Sequence, residues 1–414
     1  MASLSESCAV SVPAVVTPLD EYMGLDIARS LGRRRIPVYG IDPDPKAIGG
    51  KSKYCRLAVC PDPKEAEQDY IQFLVDWGKR LGNRAVLYPL SDDVVLLCSR
   101  ERQALQPYYE FVMPDHSTIV QLLTKAGLDA AARACGIPAP WTVIPKDEQG
   151  VEAIAHSITY PVILKPVESA YWHAPEIASM LRRSVLSGQA KVVLCGSAAE
   201  LVRAYRNIAA IDNRMIIQEV IPGPAENGVY ITFYLDRQSN PQGIFAGRKL
   251  RVLPMGFGSS CYVRSCYAPD VERVALRLLS CVRYQGLGGM EFKKDPRDGC
   301  YKLIEFNTRY GMWDGLGIRC GVDSPYLAYR DALNLPVEPQ LTYREGAIWF
   351  DWQRDVRAFW MHHKEGQLTL GQWLRSLRGE KMWAIYSRDD WRPGAAFTIN
   401  MLQIFWTRII SRRS

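Results

Sequence analysis

The sequence predicts a protein that combines an α/β domain with a larger α+β region. Over the first hundred residues, short apolar runs alternate with amphipathic helical patterns, which is typical of a parallel, doubly wound sheet. From residue 229 onward, several apolar runs follow one another directly, which favours antiparallel strands. The length of 414 residues suits two or three domains around a sizeable core.

The first elements build the predicted parallel sheet. Strands are expected over 9–16, 36–41 and 85–90, with helices over 25–31 and 64–81 and a third helix capped by Ser91. Asp42 ends the second strand, where a dinucleotide-binding domain has the acid that binds ribose. The turn over 17–24 contains one glycine where that type of site needs three, so we interpret this sheet as a scaffold.

The rest of the chain is predicted to form the α+β region and a tail. A helix over 117–134 is ended by Gly136 and the Pro-rich run 137–140. The expected elements after it are strands over 141–144, 160–166, 192–194, 215–220, 229–235, 243–249 and 260–267, helices over 198–210 and 269–284, and a hairpin over 288–306. The Trp-rich tail from residue 348 is expected to be a separate helical extension.

The register of the last hairpin decides which of its side chains share a face. Residues 295–299 are turn formers with Pro second and Gly last, so Lys294 is expected to pair with Cys300. That register places Glu291 opposite Leu303. The strand period of two then predicts one polar face and one face that points into a core.

Three oxygen-bearing side chains lie on the polar face of this hairpin. Glu291 is expected diagonal to Glu305, and Asn307 follows on the same face two residues later. Two carboxylates and an amide oxygen suit Mg²⁺, which prefers oxygen ligands and bridges substrate phosphates. The alternative is an amphipathic hairpin with a solvated polar face.

Two lysines add positive charge that suits phosphate groups. Lys165 leaves a buried strand, and Pro166 keeps the chain extended at that point, which aims the ammonium group off the sheet edge. Lys125 lies on the preceding helix and could supply a second cation. Each lysine alone could equally be a solvated or snorkelling side chain.

Composition excludes several classes of protein. The net charge of +7 is mild and spread along the chain, which favours anionic small molecules over nucleic acid as partners. The 11 cysteines are scattered without metal-binding spacing, so we expect reduced thiols and a cytoplasmic protein. The N-terminus does not resemble a signal peptide, and a stretch of about 18 apolar residues that could cross a membrane is missing.

The tail has two interpretations. Its tryptophans most simply belong to a helical cap on the core. Residues 395–413, however, combine apolar side chains with basic residues at the end, and a helix of that kind can lie in a membrane interface. Peripheral membrane association therefore stays open beside a purely cytoplasmic location.

The order of these motifs resembles the ATP-grasp superfamily over roughly residues 1 to 340, and most closely its D-aspartate ligase or carboxylate-amine ligase branch. The segments that carry the resemblance are Lys125, Lys165, Gln218–Gly223, Gly247–Arg251, Met290–Phe292 and Leu303–Arg309. The resemblance implies a Rossmann-like domain over 1–115, two lobes that grip ATP over 116–212 and 213–340, and a Trp-rich helical extension over 341–414.

The resemblance also implies a role for each site residue. Lys125 and Lys165 are similar to lysines that contact the nucleotide phosphates, and Gln218, Glu219, Val220 and Ile221 to the hinge that binds adenine. Glu226 is similar to the acid that binds ribose. Glu291, Glu305 and Asn307 correspond to the ligands of Mg²⁺ or Mn²⁺, and Arg251 and Arg309 to cations facing the γ-phosphate and the reacting carboxylate.

The implied activity is an ADP-forming ligase that joins a carboxylate and an amine through an acylphosphate, with an amino acid as one substrate and a homodimer as a possible assembly. The alternatives are an ATP-grasp kinase or carboxylase, or a nucleotide-binding regulatory module without turnover. Arg309 could instead merely pair with Asp314. The sequence departs from the superfamily over 167–191, where a phosphate-covering loop is commonly glycine-rich and Gly188 is the only glycine.

Overall fold

Three β-sheets organise the protein. The computed structural model describes residues 12–20, 22–167, 192–255 and 258–410. Within them lie a five-stranded, a four-stranded and a seven-stranded sheet. The predicted mixture of a parallel sheet with antiparallel strands is confirmed.

The N-terminal sheet is parallel, with the strand order β3-β2-β1-β4-β5. Its strands are β1 (Ala14–Thr17), β2 (Val38–Asp42), β3 (Arg56–Val59), β4 (Ala85–Pro89) and β5 (Tyr109–Glu110). The helices around it are α1 (Met23–Arg33), α2 (Glu67–Leu81), α3 (Asp92–Arg100) and α4 (Arg102–Leu105). Ser91 caps α3 as predicted, because its side chain accepts a hydrogen bond from the Val94 amide.

The long helix predicted over 117–134 is two helices, α5 (His116–Leu123) and α6 (Lys125–Ala134). Thr124 separates the two helices because its backbone is extended. Its side chain caps α6 by accepting a hydrogen bond from the Gly127 amide. The break places Lys125 in the first turn of a helix rather than in the middle of one.

The small sheet is antiparallel, with the order β6-β9-β7-β8. It contains β6 (Thr142–Val143), β7 (Val162–Pro166), β8 (Val193–Cys195) and β9 (Met215–Glu219), with the helices α7 (Glu148–Ala155) and α8 (Ala198–Ala209). The predicted boundary between the two lobes at residue 212 therefore assigns β9 to the second lobe, although β9 pairs with β6 and β7 of the small sheet. The glycine-poor interval over 167–191 lies, apart from Val167, outside the described residues.

The large sheet has the order β14-β13-β10-β11-β12-β15-β16. Its strands are β10 (Gly228–Leu235), β11 (Pro241–Leu253), β12 (Ser259–Ser265), β13 (Gly286–Lys294), β14 (Tyr301–Asn307), β15 (Ile348–Phe350) and β16 (Lys381–Trp383). The helices that accompany it are α9 (Pro269–Cys281), α10 (Gly315–Cys320), α11 (Ser324–Ala332), α12 (Trp352–Lys364), α13 (Leu370–Ser376) and α14 (Arg392–Ile410).

The C-terminal tail is not a purely helical appendix. Strand β15 pairs with β12 and strand β16 pairs with β15, so the tail extends the large sheet by two strands. The prediction of a separate helical extension is wrong here because three-residue apolar strands give too short a periodic signal to separate from helix. No helix in the described ranges is long and apolar enough to cross a membrane.

The main core lies on one face of the large sheet. It contains Met290, Phe292 and Phe306 together with apolar residues of α5, α6 and α9. Residues 116–137 thus pack against the large sheet, although the sequence assigned them to the other lobe. Cys135 and Cys281 form a disulfide bond that joins the ends of α6 and α9, so the expectation of reduced thiols is wrong for this pair.

Candidate active site

A bulge in the last hairpin brings the predicted acidic side chains closer than the sequence indicated. Lys294 pairs with Tyr301 instead of Cys300, and Glu291 lies directly opposite Glu305 instead of Leu303. The register shifts between Glu291 and Phe292, because β14 has one extra residue there. Sequence alternation cannot reveal such an insertion, since a bulge leaves no fixed residue signature.

The hairpin places its oxygen-bearing side chains on the face away from the main core. Glu291 and Glu305 are a direct cross-strand pair, and Asn307 is one strand period further along, opposite Gly289. The Asn307 Nδ2 donates to the Tyr230 hydroxyl at 3.3 Å, so the amide is held in place and its Oδ1 is the atom left for a cation. The prediction that these three residues share a face agrees with this geometry.

Lysines neutralise both carboxylates. Lys249 Nζ donates to Glu291 Oε2, and Lys125 Nζ lies 3.5 Å from Glu305 Oε1. Lys249 also lies over the Tyr230 ring, with its Nζ 5.6 Å from the ring centroid. The sequence analysis did not select Lys249, although it belongs to the segment Gly247–Arg251 that carries part of the resemblance.

Lys165 reaches the same place from the small sheet. Its Nζ donates to Gln218 Oε1 at 2.7 Å, and the Gln218 Nε2 donates to Thr142 Oγ1 at 2.9 Å. Burial and the charge of Lys125 lower the pKa of Lys165 to about 7, while Glu305 and Glu291 act in the opposite direction. Two sheets therefore contribute cations and carboxylates to one cluster.

The predicted hinge over 218–221 consists of the last two residues of β9 and the two residues that follow it. The Glu219 carboxylate accepts a hydrogen bond from the Trp141 amide at 3.1 Å and pairs with Arg297 of the hairpin turn. The Val220 amide donates to the Pro161 carbonyl, and the Ile221 side chain is buried. Arg297 thus ties the hinge to the hairpin across the two sheets.

Glu226 lies beside this hinge in a short 3₁₀ turn, Ala225–Asn227. Its side chain is exposed, and its carbonyl oxygen accepts a hydrogen bond from Arg248. An exposed carboxylate at this position is compatible with contact to a sugar hydroxyl.

Arg251 does not join the cluster. A bulge between Lys249 and Arg251 reverses the alternation of β11, so Arg251 pairs with Tyr262 on the face opposite to Lys249. Its guanidinium donates to both oxygens of the buried Asp355, at 2.6 Å and 3.1 Å. The prediction that Arg251 faces the γ-phosphate is therefore contradicted by its position, and Lys249 takes the place on the site face.

Arg309 lies at the edge of the cluster, two residues beyond Asn307. Its Nε donates to Asp92 Oδ1 at 2.7 Å, and this contact joins the end of β14 to the first residue of α3. Burial opposes the charged form, but the charge and hydrogen bond of Asp92, together with the charges of Tyr230 and Glu305, raise the pKa of Arg309. Its ion-pair partner is thus Asp92 rather than Asp314.

Two buried carboxylates lie behind Arg309. Burial raises the pKa of Asp26 to about 8 and the pKa of Asp314 to about 7. Within the described residues, Asp26 Oδ2 and Asp314 Oδ1 have no hydrogen-bond partner, whereas Asp314 Oδ2 accepts from the Gly311 amide at 2.6 Å. Neither residue was selected from sequence, because nothing in a sequence shows that a carboxylate is buried.

The donor set fits a hard divalent cation that is shared with phosphate groups. Among the described residues, no cluster of three or more His, Cys, Asp or Glu side chains could hold a metal alone. Two carboxylates and one amide oxygen leave coordination positions for ligand oxygens and water, which is how proteins usually bind Mg²⁺.

Comparison with solved structures identifies the architecture. The chain aligns with the biotin carboxylase domain of 2-oxoglutarate carboxylase from Hydrogenobacter thermophilus at a TM-score of 0.60 and 18% identity, covering 81% of this chain and 73% of that chain. It aligns with an L-amino acid ligase from Bacillus licheniformis at a TM-score of 0.58 and 16% identity, covering 79% and 75%. The chain has the ATP-grasp fold. The fold predicted from the resemblance is confirmed.

One curated protein is similar in sequence to part of this chain. The chain is 26% identical over 231 residues to a D-aspartate ligase from Enterococcus faecium (strain Aus0004), covering 55% of this chain. The match spans about half of that protein, 53% of its length. No protein-family model matches the sequence.

Proposed function

We propose that this protein is an ADP-forming carboxylate-amine ligase that uses ATP and Mg²⁺. A carboxylate would take the γ-phosphoryl group of ATP to give an acylphosphate and ADP, and an amine would then displace phosphate to form an amide. The observation that carries the proposal is the convergence of Lys125, Lys165 and Lys249 with Glu291, Glu305 and Asn307 between two sheets. The likeness to a D-aspartate ligase supports the choice of ligase over other ATP-grasp reactions.

The nucleotide would lie between the small and the large sheet. Gln218, Glu219, Val220 and Ile221 would contact adenine at the hinge, and Glu226 would contact the ribose. Lys125 and Lys165 would contact the phosphates, and Lys249 would face the transferred phosphoryl group in place of Arg251. A site of clustered cations stabilises the negative charge that develops during phosphoryl transfer.

Glu291, Glu305 and Asn307 would hold Mg²⁺ or Mn²⁺. When bound, the cation would neutralise phosphate charge and act as a Lewis acid. Lys249 and Lys125 balance the two carboxylates, so nucleotide binding would redirect both lysines toward phosphate oxygens.

Arg309 would bind the carboxylate that reacts. It lies beyond Asn307 on the same side of the hairpin, and Glu305 is one of the charges that act on it. A guanidinium matches the planar carboxylate and stays charged at every physiological pH. Closure of the lobes would keep water from the acylphosphate.

The direct test is product identification. The protein is incubated with ATP, Mg²⁺, a panel of D- and L-amino acids and a panel of amines, and the products are identified by mass spectrometry. We expect ADP release that depends on an amino acid, and an amide product once an amine is added. Hydroxylamine without another amine should trap the acylphosphate as a hydroxamate.

Other outcomes of this assay would favour the alternatives. A phosphorylated product that survives addition of every amine would indicate a kinase, and incorporation of bicarbonate would indicate a carboxylase. Binding of ATP without ADP release under any condition would indicate a regulatory module. The presence of all three predicted metal ligands on one face argues against that last alternative.

Contact with an anionic membrane surface is part of the proposal for the C-terminal helix. Helix α14 packs on the turn Ile48–Lys51, and its large exposed side chains are Ile399, Leu402, Ile404 and Trp406. From residue 391 to 414 the sequence contains four arginines and no acidic residue. Apolar area combined with positive charge is the composition that binds anionic lipid.

Liposome flotation tests this contact. We expect the protein to float with vesicles that contain phosphatidylserine and to stay behind with neutral vesicles. The double variant Leu402→Ser and Trp406→Ser should lose flotation, whereas Leu194→Ser, another exposed apolar side chain, should keep it. Equal behaviour of the two variants would contradict membrane contact and leave a cytoplasmic location. The homodimer stays a prediction that light scattering can test.

A further inference from the structure

A single ion pair closes the edge of the candidate site. Arg309 extends from the end of the hairpin, and Asp92 is the first residue of α3 in the N-terminal domain. Their contact joins one guanidinium nitrogen to one carboxylate oxygen at 2.7 Å. The side chains are 20% and 46% exposed, so solvent reaches this contact.

This pair contributes little to holding the domains together. A single ion pair that solvent reaches contributes little to stability, because water screens it and the side chains lose freedom. By contrast, the N-terminal domain and the large sheet share a large buried cluster that contains residues such as Leu31, Tyr234 and Tyr329. The domain contact therefore does not need Asp92.

The position of the pair suits a ligand instead. Glu305 and Tyr230 both act electrostatically on Arg309, so a carboxylate bound by this guanidinium would lie near the phosphoryl group transferred in the proposed reaction. Asp92 accepts a hydrogen bond from the same guanidinium at 2.7 Å, so its negative charge would repel a simple carboxylate that Arg309 binds. A substrate that carried both charges would satisfy both residues.

We infer that Asp92 selects for the ammonium group of an amino acid substrate whose carboxylate is bound by Arg309. The amino acid separates the Arg309–Asp92 pair as it enters and replaces one ion pair with two. An acid without the ammonium group breaks the same pair and leaves Asp92 unpaired beside a second negative charge. Asp92 is thus a specificity determinant, and this inference rests on the proposed ligase function.

The neighbouring Asp93 provides a matched control. It lies in the same helical turn and carries the same charge, but its carboxylate faces Lys64 at 3.7 Å on the surface. The variants Asp92→Asn and Asp93→Asn therefore change net charge equally. Only Asp92→Asn removes the charge that pairs with Arg309.

The experiment measures binding directly, so that it does not depend on turnover. Calorimetry with MgADP present compares aspartate with succinate, which lacks the ammonium group, for the wild type and both variants. An ion pair that solvent reaches is worth up to about 1 kcal/mol, so we expect the wild type to prefer aspartate by about 5-fold. Asp92→Asn should abolish this preference and Asp93→Asn should keep it.

Two results would overturn the inference. One is a wild type that binds aspartate and succinate equally, or binds neither, or prefers succinate; the other is an Asp92→Asn variant that retains the preference. Thermal unfolding of all three proteins checks that each is folded. Selective binding without any amide product would count against the proposed reaction but not against the role of Asp92, which separates the two failures.

Discussion

Two arginine–aspartate pairs lie at opposite ends of the large sheet and differ in nearly every physical respect. Arg251 and Asp355 are 8% and 0% exposed, and two hydrogen bonds join them. Trp373 Nε1 adds a third hydrogen bond to Asp355 at 2.8 Å. Arg309 and Asp92 are 20% and 46% exposed, and one hydrogen bond joins them.

The difference teaches that burial and partner number, not residue type, separate a structural pair from a ligand-binding one. The Arg251 pair fastens the C-terminal helices to β11 and is fully satisfied, so a ligand has nothing to gain there. The Arg309 pair is partly solvated and monodentate, so a ligand can replace either partner at low cost. The resemblance had implied that both arginines face the reacting groups.

The largest effect is expected when the buried pair is broken. Arg251→Met leaves Asp355 as a buried charge without its cation, which typically costs about 3–5 kcal/mol of stability. Urea unfolding should show this loss, while Arg309→Met should cost less than about 1 kcal/mol because its partner is exposed. Similar losses in the two variants would remove the distinction between the pairs.

For catalytic activity we expect the opposite ranking of the two variants, with the larger loss in Arg309→Met. Arg309→Met should lower kcat/KM for the carboxylate substrate by about 10²–10³-fold, since it removes a cation at the reacting group. The affinity for ATP should stay the same. Arg251→Met, assayed at a temperature where it is folded, should keep its kcat/KM, and a loss in both variants would contradict the assignment.

A pH series tests whether Lys165 contributes a positive charge to phosphate binding. Burial and Lys125 lower the pKa of Lys165 to about 7, so much of this lysine is uncharged above that pH. Phosphate binding needs the ammonium form, so MgADP affinity should fall as pH rises above about 7. Calorimetry across this range should show the fall in the wild type and in Lys46→Met, but not in Lys165→Met.

A smaller effect concerns Asp26, a buried carboxylate with an unpaired oxygen, in contrast to the fully paired Asp355. Its pKa rises from 3.8 to about 8 on folding. Because the folded protein keeps Asp26 protonated more readily than the unfolded chain does, the contribution of Asp26 to folding stability is fully present below pH 3.8 and is lost as pH rises through about 8. Asp26→Asn should therefore gain stability relative to the wild type across that window, and the exposed Asp76→Asn should not.

The sequence predicted the mixed α/β architecture for physical reasons, since periodicity marks strands such as β7 and β13, and the resemblance supplied the ATP-grasp fold. Glu291, Glu305 and Asn307 share the predicted face because the longer turn and the bulge each shift the register by one residue, which together keep the alternation unchanged. Inserted residues in two strands explain the positions that were predicted wrongly. A turn one residue longer than predicted and the bulge next to Glu291 together moved its partner from Leu303 to Glu305, and the bulge before Arg251 turned that arginine away from the site.

Contacts between residues far apart in the sequence could not be predicted either. The pairing of Arg309 with Asp92 joins residues that are 217 positions apart. The addition of β15 and β16 to the large sheet depends on an edge that only the folded protein presents. Lys249 was missed for a simpler reason, because the same segment contained a second candidate in Arg251.

The most direct test of the whole account is magnesium-dependent ADP formation by the double variant Glu305→Gln and Asn307→Ala. Metal stabilisation of phosphoryl transfer is worth several kcal/mol, so we predict a loss of at least about 100-fold relative to the wild type. The exposed Glu338→Gln serves as the control and should be fully active. A folded double variant that forms ADP at the wild-type rate, with the same magnesium dependence, would contradict the site described here.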